Sequence, residues 1–291
     1  EQTTNNDGTT AYGIVTTIGS DGFTIADGNQ GDLNVNNSGD TYVAWNWKAG
    51  GSASSNSNGS ITSSVSANTT ARFSIVSFTG TGNAGTIGHG LGAIPSMIIL
   101  KKRGGGANWM IWHQALDLTD GQFMEFNANQ EQSSGTAVWD VSEMSSTNIG
   151  IGTNGDSNGS SATYIAYCFA DVKGYSKFGS YTGNGNADGT FIYTGFKPAW
   201  VIVKNTTQSG SKHWGIHDNK RDTHNPSLLQ IDADDSYAEF SSANRAIDFV
   251  SNGFKIRSSD SDHNTSAETY IYMAFAESPF VNSKGVPNNA R

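Results

Sequence analysis

Two histidines occupy matching places in this chain: His113 in Trp109-Met-Ile-Trp112-His113-Gln114, and His217 in His213-Trp214-Gly-Ile-His217-Asp218. An imidazole beside an indole and followed by a polar side chain could face a ligand, while the alternative is a partly buried ring whose nitrogens pair with nearby backbone. Trp109, Trp112, Trp139 and Trp214 vary between the copies described below. Sugar rings present apolar C–H faces that stack on exposed indoles, so Trp109, Trp112, His113, Trp139, Trp214 and His217 form a candidate glycan-contact set. Core packing is the competing role for each.

Carboxylates give the route to an enzyme. A polysaccharide-cleaving site needs a pair of Asp or Glu roughly 5 to 10 Å apart. Glu125, Asp140 and Glu143 could supply it, as could Asp232, Asp234, Asp235 and Glu239. Glu125 aligns with Gln230, which a catalytic carboxylate common to both copies would not permit, so no catalytic residue is assigned. Asp27-Gly-Asn-Gln-Gly-Asp32, Asn154-Gly-Asp156 and Asp260-Ser-Asp-His-Asn264 offer oxygens of the type Ca²⁺ prefers. None matches the twelve-residue loop with its closing Glu, and turn chemistry accounts for the same residues. No cofactor and no metal ligand set are therefore expected. No His or Cys spacing suggests Zn, no Ser-His-Asp order carries a nucleophile elbow, and Thr-Gly-Thr-Gly-Asn-Ala-Gly lacks the Lys of a phosphate loop.

The elements that must position these residues come from repetition. Phe78-Thr-Gly-Thr-Gly-Asn-Ala84 and Pro95-Ser-Met-Ile-Ile-Leu-Lys101 return as Tyr181-Thr-Gly-Asn-Gly-Asn-Ala187 and Pro198-Ala-Trp-Val-Ile-Val-Lys204. A closing block occurs three times: Ser20-Asp-Gly-Phe-Thr-Ile25 with Tyr42-Val-Ala-Trp45, Ser146-Thr-Asn-Ile-Gly-Ile151 with Tyr164-Ile-Ala-Tyr167, and Ser251-Asn-Gly-Phe-Lys-Ile256 with Tyr270-Ile-Tyr-Met273. Three closing halves and two opening halves describe a tandem array whose first module lacks its front. A period near 100 exceeds solenoid repeats, which run at about 20 to 50 residues, so each copy is expected to be a domain.

Short apolar, β-branched and aromatic runs bounded by Gly, Pro and Asn predict strands at Phe73–Phe78, Ile94–Lys101 and Thr163–Ala170. Helix signals are thin: Ala115-Leu-Asp-Leu and Pro226-Ser-Leu-Leu could each make one turn. The predicted fold is all-β, with tandem antiparallel β-sandwich modules of the jelly-roll or lectin-like kind. The divisions are 1–50 for the C-terminal half of a first module, 51–173 for a second and 174–291 for a third with a tail. Gly50–Gly59 has linker composition, residues 60–71 open the second module, and Ala170–Phe178 is too tight to leave neighbours loose. Trp45 and Trp47 align with Tyr167 and Phe169 and with Met273 and Phe275, an exchange among large apolar residues expected of packed positions.

Composition narrows the partners. Seventeen basic against 26 acidic residues give a formal charge of −9, and Lys101-Lys-Arg103 is the one basic run, which argues against nucleic acid. The aromatic content of 11% argues against disorder. A lone Cys168, set in an alternating apolar run, reads as a small core residue rather than a disulfide partner. No leader and no apolar run near 18 residues appear, so membrane insertion is not expected.

Four strings carry a family resemblance: Tyr-Val-Ala-Trp-Asn-Trp-Lys-Ala-Gly-Gly (42–51), Gly-Ser-Ile-Thr-Ser-Ser-Val-Ser-Ala-Asn (59–68), His-Gly-Leu-Gly-Ala-Ile-Pro (89–95) and Tyr-Ser-Lys-Phe-Gly-Ser-Tyr-Thr-Gly-Asn-Gly (175–185). They resemble a repeated module of tail-fibre and tail-spike proteins of marine tailed phages, including those of cyanobacteria. The resemblance implies a virion-surface, extracellular protein, usually trimeric, joined to other tail proteins and contacting a host glycan or outer-membrane receptor. It carries over no catalytic residue. His89-Gly-Leu-Gly becomes Ile192-Tyr-Thr-Gly in the later copy, so a site on that His would exist once. Pro279–Arg291 is similar to the usual finish of such chains, which places this sequence at a C-terminal end. A polysaccharide-binding module outside a phage, and a depolymerase spike, are the alternative functions.

Overall fold

The computed structural model describes residues 13–19, 21–28, 35–116, 121–135, 137–208, 210 and 212–276. The chain divides into two compact units, Glu1–Trp47 and Lys48–Arg291.

In the first unit, β1 (Ile14–Ile18) pairs antiparallel with β2 (Phe23–Ala26). None of its described residues is buried, and Val15, Ile18 and Phe23 are exposed. The closing block Tyr42–Trp45 forms no strand here, and Trp45 and Trp47 are half-buried. The physical reason lies in the other two copies, where this block is a central strand flanked on both sides by strands of the opening half. Among the described residues of the first unit, no such neighbouring strands flank it.

The second unit holds both complete copies. The earlier one comprises β3 (Ser54–Asn56), β4 (Ser63–Asn68), β5 (Phe73–Thr79), β6 (Gly85–Gly88), β7 (Met97–Lys102), β8 (Trp109–His113), β9 (Met124–Glu125), β10 (Asn148–Ile151) and β11 (Thr163–Phe169). The later one comprises β12 (Ser176–Thr182), β13 (Phe191–Tyr193), β14 (Pro198–Asn205), β15 (Gly215–Asp218), β16 (Leu229–Asp232), β17 (Phe240–Ser241), β18 (Ile247–Val250), β19 (Gly253–Ile256) and β20 (Thr269–Ala276). Seven strands run in the order β3-β4-β5-β11-β7-β8-β9, and six in the order β12-β20-β14-β15-β16-β17. The last strand of each copy is central: β11 lies between β5 and β7, and β20 between β12 and β14, with all four pairings antiparallel. The small sheets are β6-β10 and β13-β19-β18. The fold is all-β and of sandwich type, as the strand runs predict.

Each copy has its own core between its large and small sheets. In the earlier copy Val76, Phe78, Leu100, Tyr164, Ala166 and Cys168 meet Ile87, Ile149 and Ile151. In the later copy Tyr181, Val201, Val203, Tyr270 and Tyr272 meet Ile192, Ile247, Phe254 and Ile256. A cross-strand ring pair recurs at equivalent positions, Phe78 on Tyr164 at 5.1 Å and Tyr181 on Tyr270 at 4.9 Å. Such pairs add about 1 kcal/mol beyond burial and help pin register. Cys168 is a free core thiol, its pKa pushed up to about 12 by burial.

Two sequence expectations are corrected and a third is untested. Pro226-Ser-Leu-Leu is not a helical turn, because Ser227 bridges to Ile247 and Leu229 begins β16. Ala115–Leu118 lies partly outside the described residues. The segment Gly50–Gly59 is not a linker, since it contains β3 paired to β4. Its glycines are there for contact: a Cβ on Gly50 would lie 2.0 Å from the Ala67 carbonyl oxygen, and one on Gly59 would lie 2.3 Å from that of Thr86. Thr86 also accepts from Ile61 N at 2.9 Å through its carbonyl, and its hydroxyl takes Ser60 N at 2.9 Å. Gly59→Ala should therefore cost about 2 to 3 kcal/mol by forcing backbone from backbone. A urea titration would show this, and a cost within 0.5 kcal/mol of zero would contradict the close approach.

Candidate functional site

The alternation of β8 and β15 places their side chains on two faces, and both faces prove to be covered. One face lines the core of its own sandwich. The other faces the neighbouring copy. His113 Nε2 lies 3.2 Å from Tyr272 O, Gln114 Nε2 donates to Phe178 O at 2.8 Å, and Trp214 Nε1 donates to Glu125 O at 3.0 Å. Gln132 N donates to Thr206 O at 3.0 Å, and the buried Lys204 Nζ reaches Gln130 O at 2.8 Å. Phe169, Phe178 and Phe275 lie about 6 Å apart between the copies, and Phe126 meets Trp214 edge-on at 5.1 Å. Phe169 and Phe275 are the positions aligned with Trp47, so the shared large residues serve the contact between copies.

This overturns most of the candidate glycan set. Trp112, His113, Trp139, Trp214 and His217 are all buried, two of them in the sheet-to-sheet core and the others between copies or within a polar cluster, so none can stack on an outside sugar. Trp109 alone is half-exposed, with Lys101 Nζ 5.8 Å from its ring centroid.

His113 is fixed as a neutral ring. A carbonyl can only accept, so Nε2 carries the proton, while Nδ1 accepts from Ala115 N at 3.1 Å. Burial lowers its pKa to about 4. His89 repeats the device: Nε2 meets Ser145 O at 3.2 Å, Nδ1 accepts from Leu91 N at 3.2 Å, and burial again lowers its pKa.

His217 differs. Its Nε2 lies 3.2 Å from Nε2 of the equally buried His263, so one ring donates and the other accepts. Around them Gln230 donates to Asp232, and Arg245 pairs with Asp232 at 3.3 Å and with Asp262. Burial lowers the pKa of His217 to about 3, with Arg221 adding to the effect; it lowers that of His263 well below the ordinary value, with His217 and Arg245 adding to it. Burial raises Asp262 to about 6 against the pull of Arg245, and raises Asp232 in the same way. The cluster is inside the later sandwich, and His263 occupies the position of Ser157 in the earlier one.

The carboxylates weighed for catalysis have local partners. Glu125 accepts from Asn108 Nδ2 at 2.8 Å, Asp140 from Ser142 Oγ at 2.6 Å, and Asp234 from Trp214 N at 2.8 Å while facing His213 Nδ1 at 3.0 Å. Glu239 pairs with Arg221 at 2.6 Å. Among the described residues no group of three or more His, Cys, Asp or Glu is placed to hold a metal ion. Asn154 caps a one-turn helix, Gly155–Asn158, by accepting from Asp156 N, and Asp260 Oδ1 accepts from Asp262 N at 2.9 Å. Asp27–Asp32 lies partly outside the described residues.

Sequence reasoning missed two residues that organise both copies. Asn158 is buried, accepts from Thr81 N at 2.9 Å, and donates to Asn83 O at 2.7 Å and Gly152 O at 2.9 Å. Asn264 does the same, accepting from Asn184 N at 2.9 Å and donating to Asn186 O and Ser258 O at 2.8 Å each. The Gly-rich turns are therefore gripped by one buried amide per copy, and their residues serve structure. The detectable signal was an Asn six residues before each repeated Tyr, 158 before 164 and 264 before 270.

One concavity opens at the surface of the later copy. A cavity of about 290 Å³ lies between the 219–225 loop, Lys197 and Phe249. Asn225 clamps that loop to β18, donating to Phe249 O and accepting from Phe249 N, both at 2.9 Å.

Fold and interior together define a tandem β-sandwich protein whose conspicuous aromatic and imidazole residues are internal. The profile described as Domain of unknown function (DUF7483) matches residues 1–279, and the chain belongs to that family. No curated protein and no solved structure matches it.

Proposed function

We propose that the chain is part of a virion-surface tail fibre or adhesin, a non-catalytic protein that binds a host-cell glycan or outer-membrane receptor. The observation that carries this reading is the seam between the two sandwiches. Side chains of one copy, His113, Gln114 and Lys204 among them, bond to backbone of the other, so two ordinary sandwiches become one stiff body. Stiffness of that kind suits transmission of force and fixed presentation of repeated contacts. The sequence resemblance to phage tail modules supports the same reading, and so does a surface rich in Ser, Thr and Asn.

Among the described residues both large sheets are open, with β3 and β9 at the edges of one and β12 and β17 at the edges of the other. Open edges invite pairing, and closed association of three chains would cover them. A homotrimer joined to other tail proteins is the assembly we propose. Weak receptor contacts repeated in such an assembly gain roughly 10² to 10⁴ in apparent affinity. The test is adsorption of the labelled chain to candidate marine bacterial hosts, with sedimentation equilibrium in parallel. Saturable binding by a trimer is expected; a monomer that adsorbs to no host cell would overturn the reading.

A further inference from the structure

We propose that Phe191 and Tyr193, on the outer face of β13, form a stacking platform for an uncharged oligosaccharide, the receptor contact of the adhesin. This inference rests on the receptor-binding reading above. Ile192 between them points into the core, while Phe191 and Tyr193 stand 45% and 66% exposed on the opposite face. Residues two apart on a strand share a face at about 6.6 Å, so the rings form a row. Both rings lie against glycine. A Cβ on Gly253 would be 3.1 Å from Phe191 Cε2, and one on Gly195 would be 3.5 Å from the Tyr193 hydroxyl. With no side chain at either seat, a ring face is left open to solvent.

The earlier copy shows that the fold does not require these rings. Its β6 pairs with β10 as β13 pairs with β19, with Ile87 opposite Ile149 where Ile192 is opposite Phe254, so by register Thr86 and Gly88 hold the places of Phe191 and Tyr193. There the strand is covered from within the chain: Ser60 Oγ accepts from Thr86 N at 2.9 Å, and Asn56 Oδ1 stands 2.2 Å from where a Cβ on Gly88 would be. Asn56 and Ser60 belong to the lead-in that pairs β3 with β4. In the later copy β12, which takes the place of β5, ends its sheet, and among the described residues no strand stands where β4 does. Two large rings therefore occupy a face that the fold leaves bare, at positions where packing asks for none.

The neighbours select the ligand class. Lys255 lies directly across from Phe191, and Asp248 directly across from Lys255. Lys255 Nζ pairs with Asp188 at 2.6 Å, and Arg257 reaches Asp248 at 3.4 Å and Asp188 at 3.7 Å. Two cations and two carboxylates balance, so the row beside the rings offers donors and acceptors without net charge. A pyranose matches both parts: its C–H face stacks on an aromatic ring, and its hydroxyls donate and accept. A purely apolar ligand would leave the ionic row unused, and a polyanion would gain nothing from balanced charges.

The test is ligand-observed NMR on the intact chain with neutral hexasaccharides of β-glucan, β-mannan and β-galactan. An oligogalacturonate of equal length and a peptide of residues 54–62, the segment that covers the matching place in the earlier copy, serve as comparisons. At least one neutral hexasaccharide should bind at about millimolar concentration, with the oligogalacturonate weaker. Phe191→Ala and Tyr193→Ala should each weaken it about five- to tenfold, and Tyr193→Phe should stay within about twofold. Tyr237→Ala, at another exposed ring, should change nothing, and circular dichroism should be the same for all four. Binding by none of the neutral hexasaccharides would overturn the proposal, as would binding that both alanine variants leave intact. Capture of the peptide in place of any hexasaccharide would overturn it in favour of an added strand. Host adsorption that survives both alanine variants, without hexasaccharide binding, would sink this platform and leave the adhesin reading standing. Ring-dependent hexasaccharide binding without adsorption would do the reverse.

Discussion

Acidification from pH 7 to pH 4.5 should remove several kcal/mol of stability from residues 48–276. His113 and His217 have folded-state pKa values lowered to about 4 and about 3, and His89 and His263 are lowered as well, all chiefly by burial. In the unfolded chain each returns to about 6.5. Below that value the unfolded state takes up protons that the folded state refuses, so their stabilisation is complete above about pH 6.5 and is lost as pH falls. His113 and His217 each lose about 1.4 kcal/mol per pH unit below 6.5, or roughly 3 kcal/mol by pH 4.5, and His89 and His263 add to the loss in the same direction. The His217–His263 pair can share one proton and so counts for less than two separate rings.

Two carboxyls oppose this. Asp262, raised to about 6, and Asp232, raised in the same sense, bind protons in the folded state before the unfolded chain does. Asp262 thereby returns about 2 kcal/mol between pH 6 and 4.5. The four histidines outnumber these two groups, so the net change on acidification is a loss. Urea midpoints at successive pH values, read through tryptophan fluorescence, would measure the slope. His113→Gln should flatten the acid limb by one ring's share while lowering stability at pH 7, because Gln reproduces only part of the contact to Tyr272 and Ala115. A midpoint unchanged from pH 7 to 4.5 would contradict the assignment of buried neutral rings.

The strands were legible because each copy repeats them, and Cys168 was legible because alternation within Thr163–Phe169 placed it with Tyr164 and Ala166 on one face. Alternation says that a strand has two faces; it does not say which is wet. For β8 and β15 neither is, since the second face meets another copy of the same module. That is why Trp112, Trp214, His113 and His217 read as candidate ligand contacts and proved internal. The segment Gly50–Gly59 misled for a related reason. Its composition is that of a linker, yet Gly50 and Gly59 are small because backbone passes within contact distance of each. The concavity beside the 219–225 loop was not legible at all, because Lys197 and Asn219 come from separate elements and only the fold brings them together.

Replacing either buried amide, as Asn158→Leu or Asn264→Leu, should cost about 4 kcal/mol and loosen one Gly-rich turn while the other copy keeps its own. Leucine has the same number and branching of side-chain heavy atoms, so the change removes bonds without opening a cavity. It leaves Thr81 N and Gly152 O unpaired around position 158, each at about 1 to 3 kcal/mol less whatever water recovers, and leaves Asn83 O with the Thr81 hydroxyl alone. Asn158→Asp separates hydrogen bonding from packing. It keeps the acceptor for Thr81 N but turns an oxygen toward two carbonyls and buries a charge, so it should destabilise at least as much as leucine. Tyr164 holds the same turn from the other side, its hydroxyl donating to Gly155 O and accepting from Gly159 N, both at 2.7 Å. Tyr164→Phe should cost about 1 to 2 kcal/mol, and combined with Asn158→Leu it should cost less than the sum, since a turn already released cannot be released again. Hydrogen exchange at the Thr81 and Gly82 amides locates the effect: both should lose protection in Asn158→Leu and keep it in Asn264→Leu. A stability loss below 1 kcal/mol, or equal loss of protection in both variants, would show that the turns are held by something other than these two side chains.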